Sequence, residues 1–222
     1  MGSFKDVFSQ LQLAILTALP AEKSTFLSGA GALSGHYLGH RTSRDLDFFC
    51  TTIEAVQVIA ASVTSLGALN GWSVTRKQDT PAFLRFQVAS KTETTLIDVV
   101  HEPVPQIVPV DEKPIVDGVR VDSLEDLIAN KLGALSRLEV KDLVDLYFLK
   151  QAGHDALAHI DDANKKDGGI DAATLAHILH QMPVDPSRLT MIKAVSTSQL
   201  GEFRDELIDR LLAMARAAAA RT

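Results

Sequence analysis

The chain has a single cysteine, Cys50, in 222 residues. That excludes an internal disulfide, fits a reducing compartment, and by burial habit makes Cys50 a small core residue rather than a reactive thiol. No apolar run approaches the roughly 18 residues that a membrane span needs, and the N-terminus lacks the basic-then-apolar pattern of a secretion signal. No membrane is expected, and the expected compartment is the cytoplasm. A basic surplus is missing too. The formal charge is -6, with 10 basic and 12 acidic residues up to position 120 and 12 basic and 16 acidic beyond it. Neither half is a general nucleic-acid platform, so any such contact must be local. There is no P-loop, no G-x-S-x-G elbow, no dinucleotide fingerprint and no H-E-x-x-H pattern. His36 with His40, and His177 with His180, stand at helical spacing but without cysteine partners, and read as surface or structural groups rather than zinc ligands. No internal repeat is present.

With 46% apolar and 23% charged residues, the chain is globular and can bury a sizeable core. Apolar residues at helical spacing predict a helix over 4–19, ended by Pro20. Then come a strand in "STFLSGAG", a short helix through "ALSGHYLG", a strand in "RDLDFFCT" and a helix from Ile53 to Leu66. Alternating patterns in "WSVTRKQ", "AFLRFQVAS" and "TTLIDVVHE" predict an antiparallel meander. These elements make an α/β (α+β) first domain over 1–120, a mixed sheet flanked by helices. Four prolines interrupt "EPVPQIVPVDEKP", and a short strand at Val119–Val121 closes this half. The rest reads as helices near 123–136, 139–151, 154–166, 171–182 and 199–219, a helical second domain over 121–222. Its alanine-rich end, "LLAMARAAAART", is expected to pack on that domain.

The chemistry centres on "HRTSRDLDFF". Residues i and i+2 of a strand share a face, so Asp45 and Asp47 project together while Leu46 and Phe48 face the other way. Two neighbouring carboxylates repel unless a cation lies between them. A divalent metal, Mg2+ above all, meets that need with one or two carboxylates and substrate phosphates. Asp98, in the almost wholly apolar "TTLIDVV", would be costly to bury unpaired and offers a third carboxylate if its strand lies beside Asp45 and Asp47. The competing reading pairs each aspartate with Arg41, Arg44 or Arg85. Upstream, a strand runs into the glycine-rich turn Gly29-Ala30-Gly31 and a short helix, whose first N–H groups suit a phosphate. In the second half, Lys131 falls on the apolar face formed by Leu124, Leu127, Ile128 and Leu135, so it must either find an anion or snorkel to water.

The stretch "GAGALSGHYLGHRTSRDLDFF" resembles the AbiEii/AbiGii-like nucleotidyltransferase toxins, within the polymerase-beta-type nucleotidyltransferase superfamily. "LIDVV" and "LEDLIANKLGALSRLEVKDLVDLYFL" extend the likeness over about 25–150. The resemblance implies an enzyme that transfers a nucleotide from a nucleoside triphosphate (NTP) to an acceptor hydroxyl and releases pyrophosphate. Asp45, Asp47 and Asp98 would be catalytic and hold Mg2+. Gly29, Ala30 and Gly31 would cradle phosphate, Lys131 would reach it from the helical domain, and Asp142 would orient Lys131 or the acceptor. Lys141, Arg41 and Ser43 would add nucleotide contacts, with His40 structural. It further implies an RNA acceptor such as a transfer-RNA (tRNA) 3′ end, and a cognate antitoxin protein. One departure stands out. Where the family has Gly-Gly-Thr or Gly-Gly-Ser, this chain has Gly29-Ala30-Gly31, and the nearest hydroxyls, Ser28 and Ser34, are not at the matching position. The alternatives are a small-molecule, aminoglycoside-type nucleotidyltransferase, which the acidic balance suits, and a catalytically silent nucleotide- or partner-binding homologue.

Overall fold

In the computed structural model residues 4–221 are described, and the chain forms two compact units, Met1–Leu124 and Glu125–Thr222. The single helix predicted over 4–19 is divided into α1 (Phe4–Val7) and α2 (Gln10–Ala18). Ser9 divides it. Its Oγ accepts from the Gln12 N–H at 3.3 Å while the Gln12 side chain accepts from the Ser9 N–H at 2.9 Å, a reciprocal cap that starts a second helix.

Next come β1 (Thr25–Leu27), α3 (Gly29–Ala32) with a π-type continuation at Leu33–Leu38, β2 (Asp45–Cys50), α4 (Ile53–Asn70), β3 (Ser73–Thr80), β4 (Phe83–Ala89) and β5 (Thr94–His101). The five strands form one mixed sheet in the order β1-β2-β5-β4-β3. β2 and β5 are parallel, and the other pairs are antiparallel. Alternation gives the sheet two unlike faces. One carries Leu46, Phe48, Leu84, Phe86, Ile97 and Val99, all buried, and α4 packs against this sheet with Val56, Ile59, Ala60 and Val63 inward. α4 is long and apolar enough to pass a membrane-span test by length and composition. Its buried stripe instead belongs to this core.

The proline-rich segment hides a strand that the sequence pattern missed. β6 (Ile115–Val116) pairs with β7 (Val119–Arg120) across Asp117-Gly118, both at positive φ, the conformation a two-residue hairpin turn requires. Val121 then bridges Leu27, and the Asp122 N–H donates to the Leu27 carbonyl at 2.8 Å.

The second unit is helical: α5 (Leu124–Ala134), α6 (Val140–Gln151), α7 (Ile160–Lys166), α8 (Ala172–Gln181) and α9 (Thr197–Ala219). A 3-10 turn at Ala156–His159, capped by Asp155, precedes α7 where one helix over 154–166 is predicted. Leu200, Phe203, Leu207, Ile208 and Leu211 of α9 are buried within this unit, where α9 packs on α8.

Candidate active site

The glycine turn and the first aspartate strand are built around each other. Gly29 has φ +61°, and a Cβ placed on it would lie 2.2 Å from Asp47 Oδ2 and 3.0 Å from its Cγ. Any side chain here would displace the carboxylate, so glycine is required for space as well as for conformation. The Ser28 N–H donates to the Asp47 carbonyl at 2.8 Å. Neither nearby hydroxyl substitutes for the family's Thr or Ser. Ser28 Oγ donates to Asp122 Oδ2 at 2.6 Å, and Ser34 Oγ donates to the Arg41 carbonyl at 2.6 Å while accepting from its N–H at 3.2 Å.

On the sheet face opposite the apolar core, register aligns a polar row across four strands. Asp47 is the partner of Asp98, Asp98 of Arg85, and Arg85 of Gln78. Asp45 lies two residues along β2, on the same face. The prediction that all three aspartates share a face therefore matches the register. Asp98 is also paired, as the competing reading allowed. Arg85 donates from Nε to Oδ1 at 2.7 Å and from Nη2 to Oδ2 at 2.5 Å, a bidentate pair. The hydrogen bond to Asp98 first, and the charges of Asp98, Asp45 and Asp47 after it, hold the guanidinium above its ordinary pKa.

A family model described as "Nucleotidyl transferase AbiEii toxin, Type IV TA system" matches residues 13–222. The chain belongs to the AbiEii nucleotidyltransferase toxin family. The crystal structure of JHP933 from Helicobacter pylori is similar at 25% identity and TM-score 0.56, covering 95% of this chain and 94% of that one. MenT4, a nucleotidyltransferase toxin from Mycobacterium tuberculosis, shares the fold at 14% identity and TM-score 0.52, covering 91% of this chain and 82% of that one. No curated protein matches the sequence.

Membership in the AbiEii family makes a divalent ion the expected companion of the carboxylate face, and the donors present fit it in part. Asp45 and Asp47 offer hard carboxylate oxygens of the kind Mg2+ takes, and no hydrogen bond engages the Asp45 carboxylate among the described residues. Asp98 does not fit as placed, because Arg85 holds both of its oxygens. Among the described residues no three His, Cys, Asp or Glu side chains are assembled as a metal site. The expected three-carboxylate cradle is thus present in register but not in coordination.

Arg41 and Ser43 prepare the strand rather than standing open to a ligand. Both are buried. Ser43 Oγ donates to the Asp45 carbonyl at 2.9 Å, and Arg41 Nη1 donates to the Thr42 carbonyl at 3.4 Å. His40 is fully buried, in keeping with a structural role.

In the helical unit, Lys131 resolves its two sequence-level options in favour of an anion. Its Nζ lies 2.8 Å from Asp142 Oδ1 and 2.6 Å from Asp145 Oδ2, with all three side chains at most 9% exposed. Asp142 and Asp145 thus share Lys131 as their cation, and Asp142 Oδ2 has no hydrogen-bond partner among the described residues. Lys141 pairs with Glu139 at 2.5 Å on the surface, and this ion pair holds Glu139 below its ordinary pKa.

Sequence reasoning missed Lys113 and Asp122. The two side chains are fully buried and meet at 2.6 Å, with Lys113 Nζ 4.6 Å from the centre of the Phe26 ring. Through the Ser28 hydroxyl, Asp122 ties the segment after the prolines to the residue that opens the glycine turn. The only signal was an aspartate directly after the Val119–Val121 run, and nothing local marks Lys113 as its partner.

Proposed function

We propose that this AbiEii-family chain transfers a nucleotide from an NTP to a hydroxyl of an RNA acceptor, such as a tRNA 3′ end, as a toxin restrained by a cognate antitoxin. In the reaction the acceptor oxygen bonds to the α-phosphorus and the bond to pyrophosphate breaks. Asp45 and Asp47 would hold Mg2+, which when bound would supply positive charge to the nucleotide's phosphates. The Gly29-Ala30-Gly31 turn presents the N–H groups of a first helical turn, the ones that lack partners within a helix. With no Thr or Ser hydroxyl at the turn, phosphate binding falls to those backbone groups and to the ion. Asp98 lies on the same face, beside Asp47, where an acceptor hydroxyl would need a base.

The observation that carries this reading is the packing of Gly29 against Asp47, which fits the glycine turn to the aspartate strand within one unit. The test is incubation with each labelled NTP, Mg2+ and total RNA, with an aminoglycoside in a parallel reaction. Label in RNA, abolished by Asp47→Ala in a folded protein, is the expected outcome. Label only in the aminoglycoside, or none in either, overturns it.

A further inference from the structure

Register divides the carboxylate face of the sheet into rows that cross its strands. Beside the Asp47–Asp98–Arg85–Gln78 row runs a second, Phe49–Val100–Phe83–Thr80, and on the other side a third, Asp45–Leu96–Gln87–Thr75. The two halves of the face differ in chemistry. All three carboxylates stand on β2 and β5, whereas β4 and β3 present Phe83, Arg85, Gln87, Thr75, Gln78 and Thr80, with no acidic side chain among the described residues. Asp79 of β3 is opposite Leu84 and so belongs to the core face. The outer half is also the open half. Thr75, Gln78 and Thr80 are exposed and Phe83, Arg85 and Gln87 partly so, while on the other side of β2 the three residues of β1 are buried.

At the boundary between the halves, the Arg85 guanidinium stands 5.4 Å from the centroid of the Phe83 ring and donates to both oxygens of Asp98. Two parallel bonds fix its plane, and the side chain is still 41% exposed. A guanidinium plane backed by an aromatic ring is a surface on which an unpaired nucleobase stacks. The amides and hydroxyls of the outer strands can donate to phosphate and sugar oxygens. A base-paired duplex offers no free base face, so this chemistry selects a single strand.

We propose that β4 and β3 form the docking surface for the single-stranded 3′ end of the RNA acceptor. One unpaired base stacks on the Arg85–Phe83 pair, the terminal hydroxyl lies toward the carboxylates, and the preceding nucleotides pass outward over β3. Arg85 is then a binding residue whose plane Asp98 sets. This rests on the reading of an RNA acceptor and names where that acceptor lies.

The test measures binding of a fluorescein-labelled single-stranded RNA of about 12 nucleotides, a length such platforms accommodate, to the full chain without NTP. Fluorescence anisotropy is recorded at low and high salt, and urea unfolding confirms that folded proteins are compared. The same hairpin supplies the control. Arg76 is 44% exposed, stands 5.3 Å from the Phe86 centroid and pairs with Asp79 at 2.8 Å, yet its register partner Phe86 belongs to the core face. Arg85→Lys keeps the charge and loses the plane, and is expected to weaken RNA binding about fivefold or more, the loss of roughly one stacked base. Its salt dependence should match the parent's, because no charge is removed. Phe83→Leu should weaken binding similarly and raise the KM for RNA, with the KM for NTP unchanged. Arg76→Lys should bind like the parent. An unchanged Arg85→Lys affinity overturns the proposal, as does an equal loss in Arg76→Lys or a parent that does not bind the RNA. A Phe83→Leu protein whose KM rises for NTP instead of RNA assigns the platform to the nucleotide and overturns it too. Failure of the underlying reading shows separately. RNA that binds through the platform but takes no label from an NTP removes the transferase reading and leaves the docking surface standing, while label in RNA with the affinities of all three variants unchanged does the reverse.

Discussion

Gly29 and Asp47 occupy one volume: the Cβ that Gly29 lacks would sit 2.2 Å from Asp47 Oδ2. The residue that opens the turn and the residue that would hold the ion cannot be changed independently. Gly29→Ala is therefore expected to abolish nucleotide transfer as well as to destabilise the fold. Gly71 is the control. It has nearly the same backbone angle, φ +67° against +61°, but nothing within 4 Å of its missing Cβ. Both variants incur the left-handed penalty of roughly 1–2 kcal/mol for a non-glycine residue, and only Gly29→Ala displaces a carboxylate. Urea unfolding and labelled-NTP transfer, run on the two side by side, check this. Gly71→Ala should keep parental activity, and equal losses in the two variants would refute the packing argument.

The buried Lys113–Asp122 pair makes a prediction with two opposing arms. Lys113→Met leaves the Asp122 carboxylate buried without its cation and should cost about 3–5 kcal/mol, the usual consequence of removing one partner of a buried pair. Adding Asp122→Leu removes the stranded charge. The double variant should regain much of the loss, offset by the Ser28 hydroxyl left without its acceptor at about 1–3 kcal/mol. Urea midpoints of the three proteins decide it. A double variant no more stable than Lys113→Met would mean that hydrogen bonds, not charge burial, dominate the site.

How much of this was legible beforehand depends on whether the determining contacts were local. The alternation in "RDLDFFC" placed Asp45 and Asp47 on one face, because strand periodicity is a property of a segment alone, whereas Asp98 joined them only on the condition that its strand lay alongside, which the β2–β5 register meets. Which neighbour each aspartate meets depends on register between strands far apart in sequence. The Arg85–Asp98 pair therefore stood in the sequence only as one of three possible arginine partners. Ser9 went unread because helical spacing continues through it, whereas its capping bond with Gln12 wins locally. β6 was hidden by the prolines that run up to a two-residue strand, the last of them Pro114. Lys131 was readable as a lysine that needed an anion, since it falls on an apolar stripe, and Asp142 and Asp145 one helix later supply it.

Cys50 gives a prediction on reactivity. Burial, only partly opposed by the hydrogen bond with Thr25 at 3.3 Å, pushes its thiol up to about 11. The reactive species is the thiolate. A raised value means the thiolate stays scarce until the pH approaches 11, so at pH 8 roughly one thiol in a thousand is ionised. Alkylation by iodoacetamide should be slow in the folded protein and climb about tenfold per pH unit from pH 7 to 9, whereas in urea it should be fast and begin to level off near pH 9, past the ordinary thiol value of about 8.5. Rapid labelling of the folded chain at pH 8 would show that Cys50 is reached by solvent.

Lys131 stands between two carboxylates, and this changes how its substitution must be read. Asp142 and Asp145 are both fully buried, so Lys131→Met leaves two like charges in a poorly screened site and should cost about 3–5 kcal/mol. An inactive Lys131→Met protein would by itself say nothing about phosphate binding, because loss of folded protein gives the same result. Adding Asp142→Asn and Asp145→Asn removes both charges, and the triple variant should recover most of the unfolding midpoint. If it does, Lys131 is held by electrostatics within the helical unit, and activity can then be compared between two folded proteins, the parent and the triple variant. If Lys131→Met unfolds at the parental urea concentration, the carboxylates are neutralised by something other than Lys131.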